Sequence, residues 1–338
     1  MLYSLARSAL FQLDAERAHE LTLACFQRAP RISTLPFARA AVEDPVTLMG
    51  LQFPNRVGLA AGLDKNGECL RAWARLGFGF VEVGTVTPRP QPGNPRPRMF
   101  RLPDEQALIN RLGFNNKGVD HLLRSVAASG YDGILGINIG KNFDTPNERA
   151  EDDYRLCLEK VYSAASYVTV NISSPNTRNL RDLQADEPLR RLLAALQQTR
   201  SALADRHGRH VPMLVKLAPD MSPELLTRTA KVVQDSGMDG LIATNTTVER
   251  PGLEGSRWID EAGGLSGRPL APLAERAMQV VRAAVGPDFP VMGVGGVDSA
   301  AMAHARRQAG ADLLQVYTGF IYRGPALVHE AASAAASL

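Results

Sequence analysis

The residue types best suited to chemistry in this sequence recur at one kind of place, the C-terminal end of a short apolar run. VGLAAG (57–62) leads into Leu63, Asp64 and Lys65, FVEVGTV (80–86) carries Gly84 and Thr85, and ILGINIG (134–140) carries Asn138. YVTVNIS (167–173) holds Asn171 and leads into Ser174, Asn176 and Thr177, while PMLVKL (212–217) carries Lys216. GLIATN (240–245) runs into Thr244, Asn245 and Thr246, PVMGV (290–294) into Gly293–Gly296, and LLQVY (313–317) into Tyr317, Thr318 and Gly319. Taken singly these are ordinary: a strand-end lysine is usually solvated or ion-paired, and an asparagine after a strand is usually a turn former. Gathered at one mouth, two lysines and several amides make a site for a planar ligand rich in carbonyl and N–H groups, because each amide side chain offers both a donor and an acceptor.

The elements that must position these residues alternate. The eight apolar runs are too short for helices, rich in β-branched residues and bounded by Gly, Pro or polar residues, so they read as buried strands. Between them lie stretches of helical periodicity at 150–165, 187–206, 222–236 and 270–285. Ser222-Pro-Glu224 offers an N-cap with proline just inside, and Asp298-Ser299 precedes an alanine-rich run. Eight alternating units predict an α/β fold, a (β/α)8 TIM barrel, with a doubly wound sheet as the competing arrangement. In such barrels the loops after the strands build the site, and the turns after the seventh and eighth strands cradle a phosphate. Gly293–Gly296 and Gly324-Pro325 supply those turns. A phosphorylated cofactor follows, and FMN fits better than a dinucleotide because no second nucleotide-binding unit is visible.

Two regions stand outside the alternation. Residues 88–110, rich in Pro and Arg, form an excursion after the second strand. Residues 1–40 precede the barrel and read as two helices, about 2–12 and 14–28, with Asp14 as the N-cap of the second. Leu2, Leu5, Ala9 and Leu10 share one face, as do Ala18, Leu21, Ala24 and Cys25. Such a hairpin either packs on the barrel as extra core or presents its apolar face to a membrane. The expected division is therefore 1–40, a helical extension, and 41–338, the catalytic barrel.

Composition narrows the classes. The chain has 338 residues, 45% hydrophobic and 22% charged, with a net charge of +3 and no basic run, which argues against a nucleic-acid binder. Cys25, Cys69 and Cys157 fit neither a disulfide framework nor a metal spacing, so no metal is expected and a reducing compartment is. No apolar run approaches the ~20 residues needed to span a bilayer, and the N-terminus lacks a signal peptide. The expected location is the cytosol or the cytoplasmic face of the cell membrane, as a peripheral protein.

Longer segments then match a family. GLAAGLDKNGE (58–68), EVGTVTPRPQPGNPRPR (82–98), LINRLGFNN (108–116), GINIGKN (136–142), NISSPNT (171–177), VKLAPD (215–220), ATNTT (243–247), GGLSGRP (263–269) and GVGG (293–296) resemble dihydroorotate dehydrogenase, in the right order and over the whole chain. Serine at position 174, where soluble classes of the family carry Cys, and the N-terminal extension resemble the quinone-linked, membrane-associated class. This tips the reading of residues 1–40 toward the membrane. The resemblance implies oxidation of dihydroorotate to orotate through FMN with a quinone as acceptor, in pyrimidine biosynthesis.

The roles it implies are as follows. Ser174 is the base that takes the C5 proton, with Thr177 and Phe114 shaping the proton path. Lys65, Asn110, Asn171, Asn176, Asn245 and Thr246 hold the pyrimidine and its carboxylate, with the segment Asn110, Arg111, Leu112, Gly113 and Phe114 as one wall. Ala61, Gly62, Leu63, Asp64, Lys65, Thr85, Asn138, Asn171, Lys216, Thr244, Gly267, Gly296, Tyr317 and Thr318 hold FMN. His19 and Arg101 contact the quinone. Competing readings are a soluble FMN barrel enzyme that uses fumarate or NAD, and a non-enzymatic flavin or phosphate binder on the same fold.

Overall fold

The computed structural model describes residues 2–177 and 179–337. Its centre is a closed barrel of eight parallel strands: β1 (Val57–Leu59), β2 (Phe80–Val86), β3 (Ile134–Ile139), β4 (Tyr167–Asn171), β5 (Met213–Leu217), β6 (Gly240–Ala243), β7 (Val291–Val294) and β8 (Leu313–Val316). Each strand pairs with its neighbour in sequence, and β8 closes the ring on β1 through Leu314↔Val57 and Val316↔Leu59. This is the α/β barrel expected from the alternation, and a doubly wound sheet is excluded. Five of the eight strands end one to three residues earlier than their apolar runs, so Ala60–Gly62, Ser173, Thr244 and Tyr317 belong to the loops above the barrel.

The strands are buried on both faces, as a parallel sheet requires, and their outer residues pack against the surrounding helices in the main core. The inner residues form a second core that closes the bottom of the barrel. Here Phe53, from a two-stranded hairpin (Val46–Leu48 with Leu51–Phe53), meets Phe80 edge to face at 5.3 Å, and Phe80 meets Tyr167. With the bottom plugged, only the mouth at the C-terminal ends of the strands is left for a ligand.

The excursion of residues 88–110 resolves into two antiparallel strands, Met99–Leu102 and Ala107–Asn110, joined by a third, Gly264–Gly267, from the loop after β6. That third strand was not anticipated. It fastens the loop after β6 over the loop after β2 and brings Ser266 and Gly267 to the mouth.

The N-terminal helices are α1 (Leu2–Leu10) and α2 (Ala15–Arg28), followed by a short helix, Pro30–Thr34. Asp14 caps α2, its carboxylate accepting from the amides of Glu16 and Arg17 at 3.0 Å each. Glu16 is itself buried and bonds the buried Arg98 guanidinium at 2.7 Å, so α2 is pinned to the excursion by an enclosed ion pair. Helix α1 hangs from the last turn of the barrel, with the Tyr3 hydroxyl donating to Ile321 O at 2.6 Å and Arg7 to Tyr322 O at 2.7 Å. The two faces of this layer differ. Ala18 is buried, while Leu2, Leu5, Leu21, Ile32 and Leu35 are exposed. Among the described residues no helix is long and apolar enough to cross a membrane.

Candidate active site

The barrel mouth opens into a cavity of about 980 Å³, its open end included. Of the residues singled out from the sequence, Ala61, Gly62, Lys65, Thr85, Asn110, Leu112, Gly113, Phe114, Asn171, Ser174, Asn176, Lys216, Thr244, Asn245, Thr246, Gly267, Gly296, Tyr317 and Thr318 line it. Several lie far apart in the chain, and closure of the barrel is what makes them neighbours. Register does the fine placement: Asn171 at the end of β4 is paired with Lys216 on β5.

Four of the expected cofactor and substrate residues stand elsewhere. Asp64 points away from the mouth: its carboxylate accepts from the amides of Glu68 and Cys69 and from Trp73 Nε1 at 2.9–3.0 Å, and holds the turn together. Leu63 lines a different, apolar cavity. Arg111 faces outward to Glu261, Ala262 O and Pro97 O, because successive residues at a strand end point to opposite faces and Asn110 takes the inner one. Asn138 lies one layer below the cavity. It accepts from the Thr85 hydroxyl at 2.6 Å and donates to Glu82 Oε1 at 2.8 Å, so it acts on the mouth through Thr85.

Beneath the cavity runs a buried polar network that sequence reasoning passed over. Glu82, fully buried, accepts from Asn138, from the Tyr167 hydroxyl at 3.0 Å and from Gln315 at 2.7 Å. Above it, Asn171 donates to Thr85 at 2.9 Å and to Asn138 at 3.2 Å, and Ser173 donates to Asn171 at 3.1 Å. Asn245 donates to Ser173 at 2.9 Å. The amides at the mouth are thereby fixed in orientation before any ligand arrives.

Two lysines face this mouth with no ion-pair partner among the described residues. Burial pushes Lys65 down to about 8, with Glu16 pulling the other way. Burial also lowers Lys216, against the field of Glu82. A lysine charged in such a place calls for an anion, which points to an anionic ligand. The glycines fit a phosphate. Gly296 has φ +73°, and a Cβ there would stand 2.4 Å from Ala271 Cα, while one on Gly267 would stand 2.3 Å from Gln106 O. Both positions exclude side chains, leaving bare backbone beside the Ser266 and Thr318 hydroxyls, which bond each other at 2.8 Å.

Ser174 is buried at the mouth, its Oγ accepting from the Asn176 amide at 3.2 Å. Thr177 is buried close by in sequence, and its hydroxyl has no hydrogen-bond partner among the described residues. Phe114, with φ +53°, forms the wall of the cavity on the side of the excursion.

A further cavity of about 1460 Å³, overwhelmingly apolar, lies between the N-terminal helices and the barrel. His19 and Arg101 are on its wall, with Leu63, Phe26 and Trp73, and Tyr317 is shared between it and the mouth. Arg101 reaches Phe11 O and Leu13 O at 3.2 and 3.3 Å and stacks over the Phe11 ring at 4.1 Å.

Fold and site together define a β/α-barrel protein with a polar, cationic cavity at its mouth and a second, apolar cavity beneath an N-terminal helical layer. The chain belongs to the dihydroorotate dehydrogenase family, whose model (Dihydroorotate dehydrogenase) matches residues 45–335. It is 56% identical over 338 residues to the dihydroorotate dehydrogenase (quinone) of Azotobacter vinelandii, covering 100% of this chain and 97% of that protein. It is 56% identical over 330 residues to the dihydroorotate dehydrogenase (quinone) of Aromatoleum aromaticum, covering 98% and 94%. The crystal structure of DHODH from Eimeria tenella in complex with ferulenol superposes with a TM-score of 0.88 at 38% identity, over 95% of this chain and 90% of that one.

Proposed function

We propose that this protein oxidises dihydroorotate to orotate and passes the electrons to a quinone, using FMN, at a membrane surface. The observation that carries the reading is the pair of cavities meeting at Tyr317: a polar, cationic mouth with a buried serine on one side, an apolar tunnel on the other. FMN would be held by Ala61, Gly62, Thr85, Asn171, Lys216, Thr244, Gly267, Gly296, Tyr317 and Thr318, with Asn138 acting through Thr85. When bound, it supplies an acceptor for the C6 hydride and a two-electron donor for the quinone.

The chain's own residues do the rest. Asn110, Asn171, Asn176, Asn245 and Thr246 match the donors and acceptors of the pyrimidine ring, and the Lys65 ammonium matches its carboxylate. Ser174 Oγ removes the C5 proton as the C6 hydride leaves, so a C5=C6 double bond forms and the charges balance. A free hydroxyl is a weak base, and it needs a positioned route for its own proton. The buried Thr177 hydroxyl, without a hydrogen-bond partner among the described residues, and the Phe114 wall support such a route. Lys216 stabilises negative charge that develops toward the barrel interior, and the field of Glu82 opposes the lowering of that lysine by burial.

His19 and Arg101 are placed to meet a quinone head in the tunnel, and the exposed Leu2, Leu5, Leu21, Ile32 and Leu35 support contact of the outer face with lipid. The proposed location is the cytoplasmic face of the cell membrane. The test is orotate formation by purified, FMN-containing protein with a short-chain quinone, beside fumarate and NAD. Orotate with quinone alone supports the whole reading. Orotate with fumarate or NAD instead would keep the barrel chemistry and overturn the tunnel. No orotate with any acceptor would overturn the substrate assignment.

A further inference from the structure

A third cavity, of about 1110 Å³ with its open side included, lies between α2 and the turns above the barrel. Its wall carries many polar side chains, among them Glu20, Gln27, Asn66, Glu68, Asn115 and Lys117. Lys65 belongs both to this wall and to that of the mouth, and His19 both to this wall and to that of the apolar tunnel. The two residues feel each other: burial first, and then the Lys65 ammonium, push the His19 imidazole down to about 3. Inside the chamber, the Asn115 Oδ1 is buried without a hydrogen-bond partner among the described residues.

The overall reaction needs a proton at this junction. Dihydroorotate gives up a proton from C5 and a hydride from C6. A quinone becomes a quinol by taking two electrons and two protons, of which the hydride accounts for both electrons and one proton. One proton is therefore released at Ser174 and another must be taken up at the quinone oxygen. The tunnel is a poor route for it, because most of its wall, with Leu10, Phe26 and Trp73, is apolar and offers a hydrated proton little to bind.

Resting on the quinone reading above, we infer that the polar chamber is the proton entry of the quinone half-reaction: a solvent proton enters between α2 and the barrel turns, passes Lys65, and reaches the quinone oxygen through His19. A neutral imidazole has an N–H donor on one nitrogen and an acceptor on the other, so it hands on a proton at one while taking one at the other, without resting as a cation. Lys65, held at about 8 chiefly by burial, releases and regains a proton near neutrality. Release and uptake are then separate paths, one through the Ser174 loop and one through the chamber.

Ala24 lines this chamber alone of the three cavities, and leucine is a good helix residue, so Ala24→Leu narrows the chamber without breaking α2. His19→Gln keeps a polar head but cannot relay. Both holoenzymes are reduced with dihydroorotate in a stopped-flow instrument and reoxidised with a short-chain quinone or with ferricyanide, which takes electrons without protons. Binding of a non-reducible quinone head-group analogue is read separately by quenching of tryptophan fluorescence, since Trp73 lines the tunnel. The expected result is quinone reoxidation slowed about fivefold or more in both variants, with an enlarged solvent deuterium isotope effect. Reduction and ferricyanide reoxidation stay within about twofold of the parent in both, and in Ala24→Leu so does analogue affinity. Undiminished quinone reoxidation in both variants, an equal loss with ferricyanide, or a loss in Ala24→Leu matched by weaker analogue binding would overturn the inference. Parent protein that no quinone reoxidises would overturn the quinone reading itself, and the inference with it.

Discussion

At the scale of single residues, the site works because charges and hydroxyls are buried where a ligand must complete them. Ser174 is the sharpest case. It is enclosed, and the one side-chain bond it makes among the described residues is accepted from the Asn176 amide, so its hydroxyl proton is free to be passed on. Ser174→Ala should retain FMN, read from the flavin absorbance of the purified protein, and lose about 100-fold or more of turnover at neutral pH, the usual contribution of a positioned base. Turnover within a few-fold of the parent would remove Ser174 from that role. Lys65 gives a pH signature. Its folded pKa is lowered to about 8 from 10.5, so it is a cation below pH 8 and neutral above. The cation attracts the substrate carboxylate, so KM for dihydroorotate should be flat below about pH 8 and rise with pH above it, by roughly tenfold per unit at the limit. Lys65→Met should have a high KM at every pH; a parent KM that stays flat to pH 10 would show that Lys65 does not carry the carboxylate.

At the scale of elements, the barrel turns scattered sequence positions into a layered site. Much of this was legible, because a strand fixes what its last residue can face: Asn171, Lys216, Thr244 and Asn245 could be placed at the mouth from the apolar runs that precede them. The exceptions have physical causes. Arg111 follows Asn110 at a strand end and so faces out, to Glu261. Asp64 looked like part of a ligand loop, but it is taken by two amides and Trp73, a partner visible only once the turn has folded back. Glu82 was an acid in an otherwise apolar strand, and its meaning depends on Tyr167 and Gln315, 85 and 233 residues away. The network makes a prediction of its own. Glu82→Leu leaves the Asn138, Tyr167 and Gln315 donors unpaired in a dry interior and should cost about 3 kcal/mol or more in chemical denaturation. Glu82→Gln, which keeps an acceptor, should cost about half as much. Equal stability of the Leu variant and the parent would mean that the network contributes no net stability.

At the scale of the whole molecule, the N-terminal layer has two sides that can be tested separately. Its inner side roofs the tunnel and is fixed by the buried Glu16–Arg98 pair and by the bonds of Tyr3 and Arg7 to the last barrel turn. Cutting the layer away would strand Arg98 in the interior without its carboxylate, so a truncated chain tests stability and function at once and distinguishes neither. The outer side is the better target. Leu2, Leu5, Leu21, Ile32 and Leu35 are exposed there, with Arg17, Arg28 and Arg31 also exposed in the same layer. Apolar side chains entering the acyl boundary with basic residues at the head groups is the pattern of an interfacial helix layer. Replacing Leu5 and Leu35 together by Glu puts two charges on that face at positions that do not line the tunnel. The double variant should lose co-flotation with vesicles that contain anionic lipid, by about tenfold or more, because each leucine withdrawn from the acyl boundary forfeits about 1.5–3 kcal/mol. Its melting temperature and its rate with a short-chain, water-soluble quinone should stay near the parent's, while its rate with a long-chain quinone in vesicles should fall with the flotation. A double variant that still floats would place the lipid contact elsewhere. One that floats less yet reduces the vesicle-held quinone at full rate would show that the tunnel does not need its mouth at the membrane.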